Sequence, residues 1–216
     1  RYMQEMLPLV KQLWQGDVEH NGECWQFPMA TYCPKPVQDD VPVWVAARSP
    51  ATFDYAVENN YNIMSWPLTM PFSEAEAYRE RLDTSIAKAG GNYSGKWALM
   101  RHTSGYETEA DRQASLDAVR SVLAMFGNLM TKSGDVQNGF PEKVSLESLE
   151  GNVRVDPDVL EENLLFGSTE SVTKKLKQYQ SIGVDSFIYY ASMGLDMDCQ
   201  KRSLQLFIDK VMPAFA

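Results

Sequence analysis

Residues 41–52 read Val-Pro-Val-Trp-Val-Ala-Ala-Arg-Ser-Pro-Ala-Thr. An apolar run, Val41–Ala47, ends in small residues and gives way at once to a helix start. Apolarity without alternation over so short a run predicts a strand buried on both faces, as in a parallel sheet. Ser49 at the N-cap and Pro50 at the first helical position predict a helix over Ala51–Asn59. A strand that turns directly into a helix is the repeating unit of α/β folds.

The unit recurs downstream. Tyr61–Ser65 reads as a second buried strand. Ser73–Ala89 reads as a helix in which Ser73 and Glu76 have capping-box spacing, and Gly90-Gly91 stops it. Lys96–Arg101 is a third strand and Glu109–Leu129 a long helix. Residues 131–165 are mixed and polar. Ser168–Ser181 is helical, capped by Ser168 or Thr169 and stopped by Gly183. Ser186–Ser192 is a fourth strand, and Asp196–Phe215 the last helix. Upstream, Gly16–Pro36 reads as a loop carrying Trp25, Phe27 and Tyr32, and Arg1–Trp14 as an amphipathic helix. This alternation implies parallel strands joined by right-handed crossovers. Pattern alone leaves two architectures open, a small doubly wound sheet or half of an eight-stranded barrel. The chain opens on Arg1 inside a helical pattern, which reads as a chain cut from something longer.

Composition narrows the function. Of 216 residues, 44% are hydrophobic and 23% charged, enough for one domain with a large core and too apolar for disorder. No apolar run approaches the ~20 residues of a membrane helix. A net charge of −9 repels phosphate backbones and anionic lipids, so neither nucleic acid nor membrane is expected as a partner. Cys24, Cys33 and Cys199 are odd in number and form no CxxC, which points to a reducing, cytoplasmic compartment.

Strong catalytic signatures are missing: no GxGxxG, P-loop, HExxH, CxxC or GxSxG. With two histidines far apart, metal and Ser-His chemistry are not expected. The turn after Val41–Ala47 is the best local feature. A helix N-terminus presents free N–H groups and the positive end of the dipole. Ser49 and Thr52, three apart, can turn both hydroxyls to one anion there, with Arg48 adding charge. The plainer alternative is that Ser49 caps the helix and Thr52 lies on the surface. Ser65-Trp66 ends the next strand, where a flat aromatic can lie along a ring cofactor or pack on the core rim. Arg101 and His102 end the third strand in the equivalent place, to meet an anionic substrate or to face solvent.

These segments resemble the bacterial luciferase-like, flavin-dependent monooxygenases. Pro34-Lys35-Pro36-Val37-Gln38 followed by Val41–Ala47 is similar to the family's P-x-P-x-Q lead into its fifth strand. Ser49–Trp66 is similar to the stretch from that strand to a sixth ending in Ser-Trp. Phe166-Gly167-Ser168-Thr169-Glu170-Ser171-Val172, with Leu176 and the Gly183-Val184-Asp185 turn, resembles the helix before the eighth strand. The ending from Leu206-Phe207 to Val211-Met212-Pro213 is similar to the family's last helix. The resemblance spans most of the chain.

It implies a (β/α)8 TIM barrel that binds reduced FMN at the C-terminal ends of its strands, oxidising a small organic substrate with O2. The chain would be a single domain, 1–216, the C-terminal portion of that barrel without the first four strands. An excursion at about 103–165 stands where light-emitting members carry a mobile loop. Carried over residue by residue, Ala47, Arg48, Ser49 and Thr52 contact the phosphate, and Ser65 and Trp66 lie beside the isoalloxazine. Arg48 departs from the acidic residue of the light-emitting members. Arg101 and His102 are the candidates for substrate contact. No catalytic residue is assigned, since the family's reactive His or Cys falls in the half not seen here. A flavin reductase would supply the cofactor, and a homo- or hetero-dimer is expected. An F420-dependent dehydrogenase of the same fold is the alternative, and a non-catalytic flavin-binding or partner subunit a third reading.

Overall fold

The computed structural model of the chain describes residues 1–131, 135–191 and 194–216. Ser192, the predicted last residue of the fourth strand, and residues 132–134 of the predicted excursion lie outside the described residues. Two compact units compose the chain, Arg1–Trp44 and Val45–Ala216. Each is described by itself.

In the first unit α1 (Tyr2–Gln15) precedes an antiparallel pair, β1 (Val18–Asn21) and β2 (Gln26–Ala30), in register at His20↔Phe27 and Asn21↔Gln26. The loop expected over Gly16–Pro36 is therefore in part a hairpin. Its turn is held from α1. The Glu5 carboxylate shares a hydrogen bond with His20 Nε2 and accepts from the amides of Cys24 and Trp25, each at 2.9 Å. The His20 bond and then the Cys24 amide draw the Glu5 carboxyl down to about 2. A carboxylate nineteen residues away is no local turn signal, so a Gly- and Pro-rich stretch reads as loop.

The second unit is a five-stranded sheet with helices. β3 (Trp44–Ala46), α2 (Pro50–Glu58), β4 (Asn62–Ser65), α3 (Phe72–Lys88), β5 (Trp97–Gly105) and α4 (Glu109–Thr131) come first. A small antiparallel pair follows, β6 (Val136–Gln137) and β7 (Phe140–Pro141), then α5 (Pro157–Asn163), β8 (Leu165–Gly167), α6 (Thr169–Ser181), β9 (Ser186–Tyr190) and α7 (Met197–Leu206). The sheet order is β3-β4-β5-β8, with β9 also on β5. β5 pairs in parallel with β4, β8 and β9. It forks: Ala98–His102 pair with Ser186–Tyr190, and Thr103–Gly105 pair with Leu165–Gly167.

β3 is Trp44–Ala46 rather than Val41–Ala47, and only Val45 of its residues is buried; at three other boundaries the reason for the difference is visible. β5 runs to Gly105, not Arg101, because the polar atoms that read as loop are paired. Thr103 Oγ1 donates to the Arg101 carbonyl, Ser104 Oγ meets Ser115 Oγ at 2.7 Å, and the Gly105 amide donates to Ser203 Oγ. The excursion is thus bounded by β5 and β8 rather than starting at 103. α3 starts at Phe72 with Pro71 as N-cap and no side-chain cap, so Ser73 and Glu76 form no capping box. The Phe72 ring lies 5.3 Å from that of Tyr179, which draws the helix start ahead of Ser73. The last helix is not continuous to Phe215. α7 passes into a π-turn at Phe207–Val211 and a 3-10 turn at Met212–Phe215. Pro213 lacks the N–H that an α-helix would need at that point.

Buried Phe53, Ile63, Tyr78, Trp97, Leu99 and Leu176 fill the space between sheet and helices. A second cluster gathers Leu116, Val119, Leu160, Leu164 and Phe166 where α4, α5 and β8 meet. Both put the C-terminal ends of β3, β4, β5 and β9 side by side, where α/β folds bind ligands.

Candidate functional site

Side chains alternate across a strand, so each strand end offers one residue to the helices and the next to the other face. The helix-facing set begins with Ser65. It is buried, donates to the Ala47 carbonyl at 2.9 Å and accepts from Trp97 Nε1 at 3.2 Å. The Ala47 amide in turn donates to the Met64 carbonyl. Ala47 and Ser65 therefore lock the ends of β3 and β4 together.

Arg101 belongs to this set too. It is fully buried, with Nε donating to Tyr179 Oη at 2.9 Å and Nη1 to the Leu68 carbonyl at 3.0 Å. Nη2 reaches the Pro71 carbonyl at 3.4 Å. Of the two alternatives for Arg101, facing solvent is overturned by its burial. One residue of offset sends it to α6 and the loop after β4, where its fork spans a hydroxyl and two carbonyls.

His102, Trp66 and Tyr190 occupy the opposite face. The His102 and Tyr190 rings stack at 4.5 Å and 25°, and Trp66 stands edge-on to them at 5.5 and 5.7 Å. Register explains the meeting, since His102 lies opposite Tyr190. His102 is 1% exposed. Burial first, and the Arg101 charge second, push its imidazole down to about 4, so it is neutral at pH 7. Among the described residues, neither of its ring nitrogens nor Trp66 Nε1, all buried, has a hydrogen-bond partner. Buried polar atoms are seldom left unpaired, and a ring cofactor or substrate with polar edges would satisfy them. Sequence reading missed Tyr190. The signal was the apolar run that ends there, readable only with the strand register.

The α2 turn holds the remaining candidates. Ser49 is the N-cap residue in extended conformation, and it makes no side-chain capping bond. Its Oγ lies 2.9 Å from Thr52 Oγ1. The two hydroxyls thus sit together at the open end of a nine-residue helix, as a shared anion contact requires. Arg48 turns its Nε to Tyr78 Oη at 3.2 Å. A second cation was not anticipated: Arg81 Nη1 donates to the Arg48 carbonyl at 2.7 Å, its guanidinium 5.0 Å over the Tyr78 ring. Arg81 sits mid-helix in α3, where no motif marks it.

Residues 1–186 match the family model described as luciferase-like monooxygenase. The chain belongs to that family. It is 32% identical, over 215 residues, to the oxygenase component of a flavin-dependent trigonelline monooxygenase of Acinetobacter baylyi (strain ATCC 33305 / BD413 / ADP1). The match covers 99% of this chain and 60% of that protein. Among solved structures, the F420-dependent tetrahydromethanopterin reductase of Methanopyrus kandleri superposes with a TM-score of 0.72 at 17% identity, over 99% of this chain and 63% of that one. The oxygenating constituent of 3,6-diketocamphane monooxygenase from Pseudomonas putida, in complex with FMN, gives 0.63 at 15% identity, over 98% and 62%. An F420-dependent secondary alcohol dehydrogenase gives 0.67 at 19%, over 98% and 60%. At these identities the structures speak for the fold alone. That fold is the luciferase-like TIM barrel, and the parallel sheet and helices here fit part of one. The chain spans about 60% of the length of the relatives it matches.

Proposed function

We propose that this chain takes part in reduced-flavin-dependent monooxygenation of a small organic substrate with O2. The observation that carries the reading is the Ser49–Thr52 hydroxyl pair at the uncapped start of α2. Family membership and the flavin-dependent relative support it. Reduced FMN, when bound, supplies the electrons and the site at which O2 is activated.

The chain's own residues bind and orient. Ser49 and Thr52 would hold the phosphate together with the Ala51 amide, since Pro50 has no N–H and the Thr52 and Phe53 amides donate to the Ser49 carbonyl, and Ala47 and Arg48 shape that turn. Ser65 fixes the strand ends against each other, and Trp66 would border the ring system. His102, neutral and unpaired, offers one donor and one acceptor to substrate or cofactor. Arg101 is a positioning residue: it pins the Leu68–Pro71 loop beside Trp66. No residue of the chain is assigned the chemical step.

The oxygenase-component relative makes a flavin reductase the natural supplier of reduced FMN. A dimer and a cytoplasmic setting, the latter suited to three free cysteines, complete the proposal. An F420-dependent dehydrogenase is the second reading, since the same fold also serves F420-dependent enzymes.

Anaerobic titration of the chain with reduced FMN tests the proposal. Hydrogen bonds to a charged group contribute about 1.5–3 kcal/mol each, so Ser49→Ala with Thr52→Ala, which removes two, is expected to weaken binding by about 3 kcal/mol or more, that is, roughly a hundredfold at least. Equal affinity of the double variant, or preferential binding of F420, overturns the FMN reading.

A further inference from the structure

A shallow groove on the helix side of the second unit, open to solvent, is lined by Thr169, Glu170, Thr173, Lys174, Lys177 and Lys210 and has a volume of about 430 Å³. Lys174 and Lys177 stand a turn apart on α6 and are exposed. Lys210 arrives from the other wall, carried by the π-turn that follows α7. Among the described residues none of the three forms an ion pair. Glu170, near Lys210, is the one acidic residue in the lining, so the groove is net positive on a chain of net charge −9. A hydrogen bond from Ser168 first, and the Lys210 charge among the smaller causes, lower the Glu170 carboxyl. One carboxylate thus stands against three ammonium groups, and the excess positive charge is one that an acidic occupant would relieve. The groove shares Thr169, Glu170 and Lys210 with a second hollow that includes Tyr106 and Ser168, at the ends of β5 and β8. An occupant of the groove therefore lies close to the strand ends.

We infer that this groove is the docking surface for an acidic segment of a partner protein, the one that delivers reduced flavin; the inference rests on the two-component reading above. Charge complementarity selects the groove, because most of an acidic surface repels an acidic partner and so orients it. Size sets the strength. A groove of this volume holds only a short segment, well below the area of a lasting complex, and brief delivery encounters sit at that low end.

The test is a titration of the chain with a fluorescent ten-residue glutamate peptide at low and at physiological salt. Saturable binding that weakens at least tenfold at the higher salt is expected. The charge-reversed variant with Lys174→Glu, Lys177→Glu and Lys210→Glu should lose it. A control with Lys96→Glu and Lys143→Glu should keep it, with both variants retaining the parent's circular dichroism and melting point. Equal loss in the control overturns the inference, as does no saturable binding. So does inorganic tripolyphosphate that binds the groove while the peptide does not, since the occupant would then be a small oligophosphate. Peptide binding needs no flavin, so failure here and failure of the FMN titration are read separately.

Discussion

His102 is the residue on which burial acts most clearly. Its imidazole titrates near 6.5 when unfolded and about 4 in the fold, because the charged form is excluded from the stack with Tyr190. The unfolded chain therefore takes up a proton that the folded chain refuses. The sign follows: above about pH 6.5 nothing is lost, and stability falls as the pH drops from there towards 4. A shift of this size corresponds to about 3 kcal/mol across the window. Urea unfolding at pH 7 and pH 4.5 should show His102→Phe losing less stability on acidification than the parent, by about 2–3 kcal/mol. An equal loss in both would mean that His102 protonates freely in the fold.

The same residue shows where sequence reading stops. Arg101 and His102 were legible together as a strand end facing a ligand. Only strand parity separates them, and parity depended on β5 continuing to Gly105 through Thr103 and Ser104, which look like loop residues. Ser49 and Thr52 were legible as a pair because their spacing of three holds in any helix. Arg81 was not, since its place beside Arg48 arises from α3 packing on α2.

Among the elements, the β1–β2 hairpin meets α1 at the Glu5 carboxylate and at Trp25, whose Nε1 donates to the Tyr2 carbonyl. Glu5 accepts from His20, Cys24 and Trp25 together, and a Cβ on Gly22 would stand 2.1 Å from Glu5 Oε1 and 2.3 Å from His20 Nε2. Glu5→Ala and Gly22→Ala should therefore act alike, one removing the carboxylate and the other displacing it. Hydrogen exchange should quicken at amides 18–30 in both variants while β5 is unaffected. A hairpin whose protection survives Glu5→Ala would show that pairing and the Trp25 contact hold it without the carboxylate. α3 is complementary: a capping-box spacing is present in the sequence and unused in the fold, where the helix begins one residue earlier at Phe72, whose ring packs on Tyr179.

Across the whole molecule, protection should follow the position of β5. Ala98 and Leu99 pair with β4 on one side and β9 on the other, with helices against one face. Their amides are expected to exchange slowest of all, opening only with global unfolding. Faster exchange there than in β4 would place the stable centre elsewhere. The alternation of strands and helices made the parallel sheet legible from the start. The choice between an open doubly wound sheet and a barrel was not, because closure depends on how far twist and stagger accumulate over all strands, which no local pattern encodes.

The fork in β5 has a consequence for how such chains change over evolutionary time. β9 takes its register from Ala98–His102, whereas β8 takes its register from the last three residues alone. In the sheet itself the segment between β5 and β8 is joined at one short splice, while Leu116 and Leu160 pack on Phe166 and Asp111 pairs with Arg202 of α7. Insertions and deletions there leave the alignment of β9, and with it Tyr190 against His102, untouched. The excursion is in this sense a cassette: lineages can lengthen, trim or exchange it, and so vary what borders the strand ends, without re-threading the sheet that carries them.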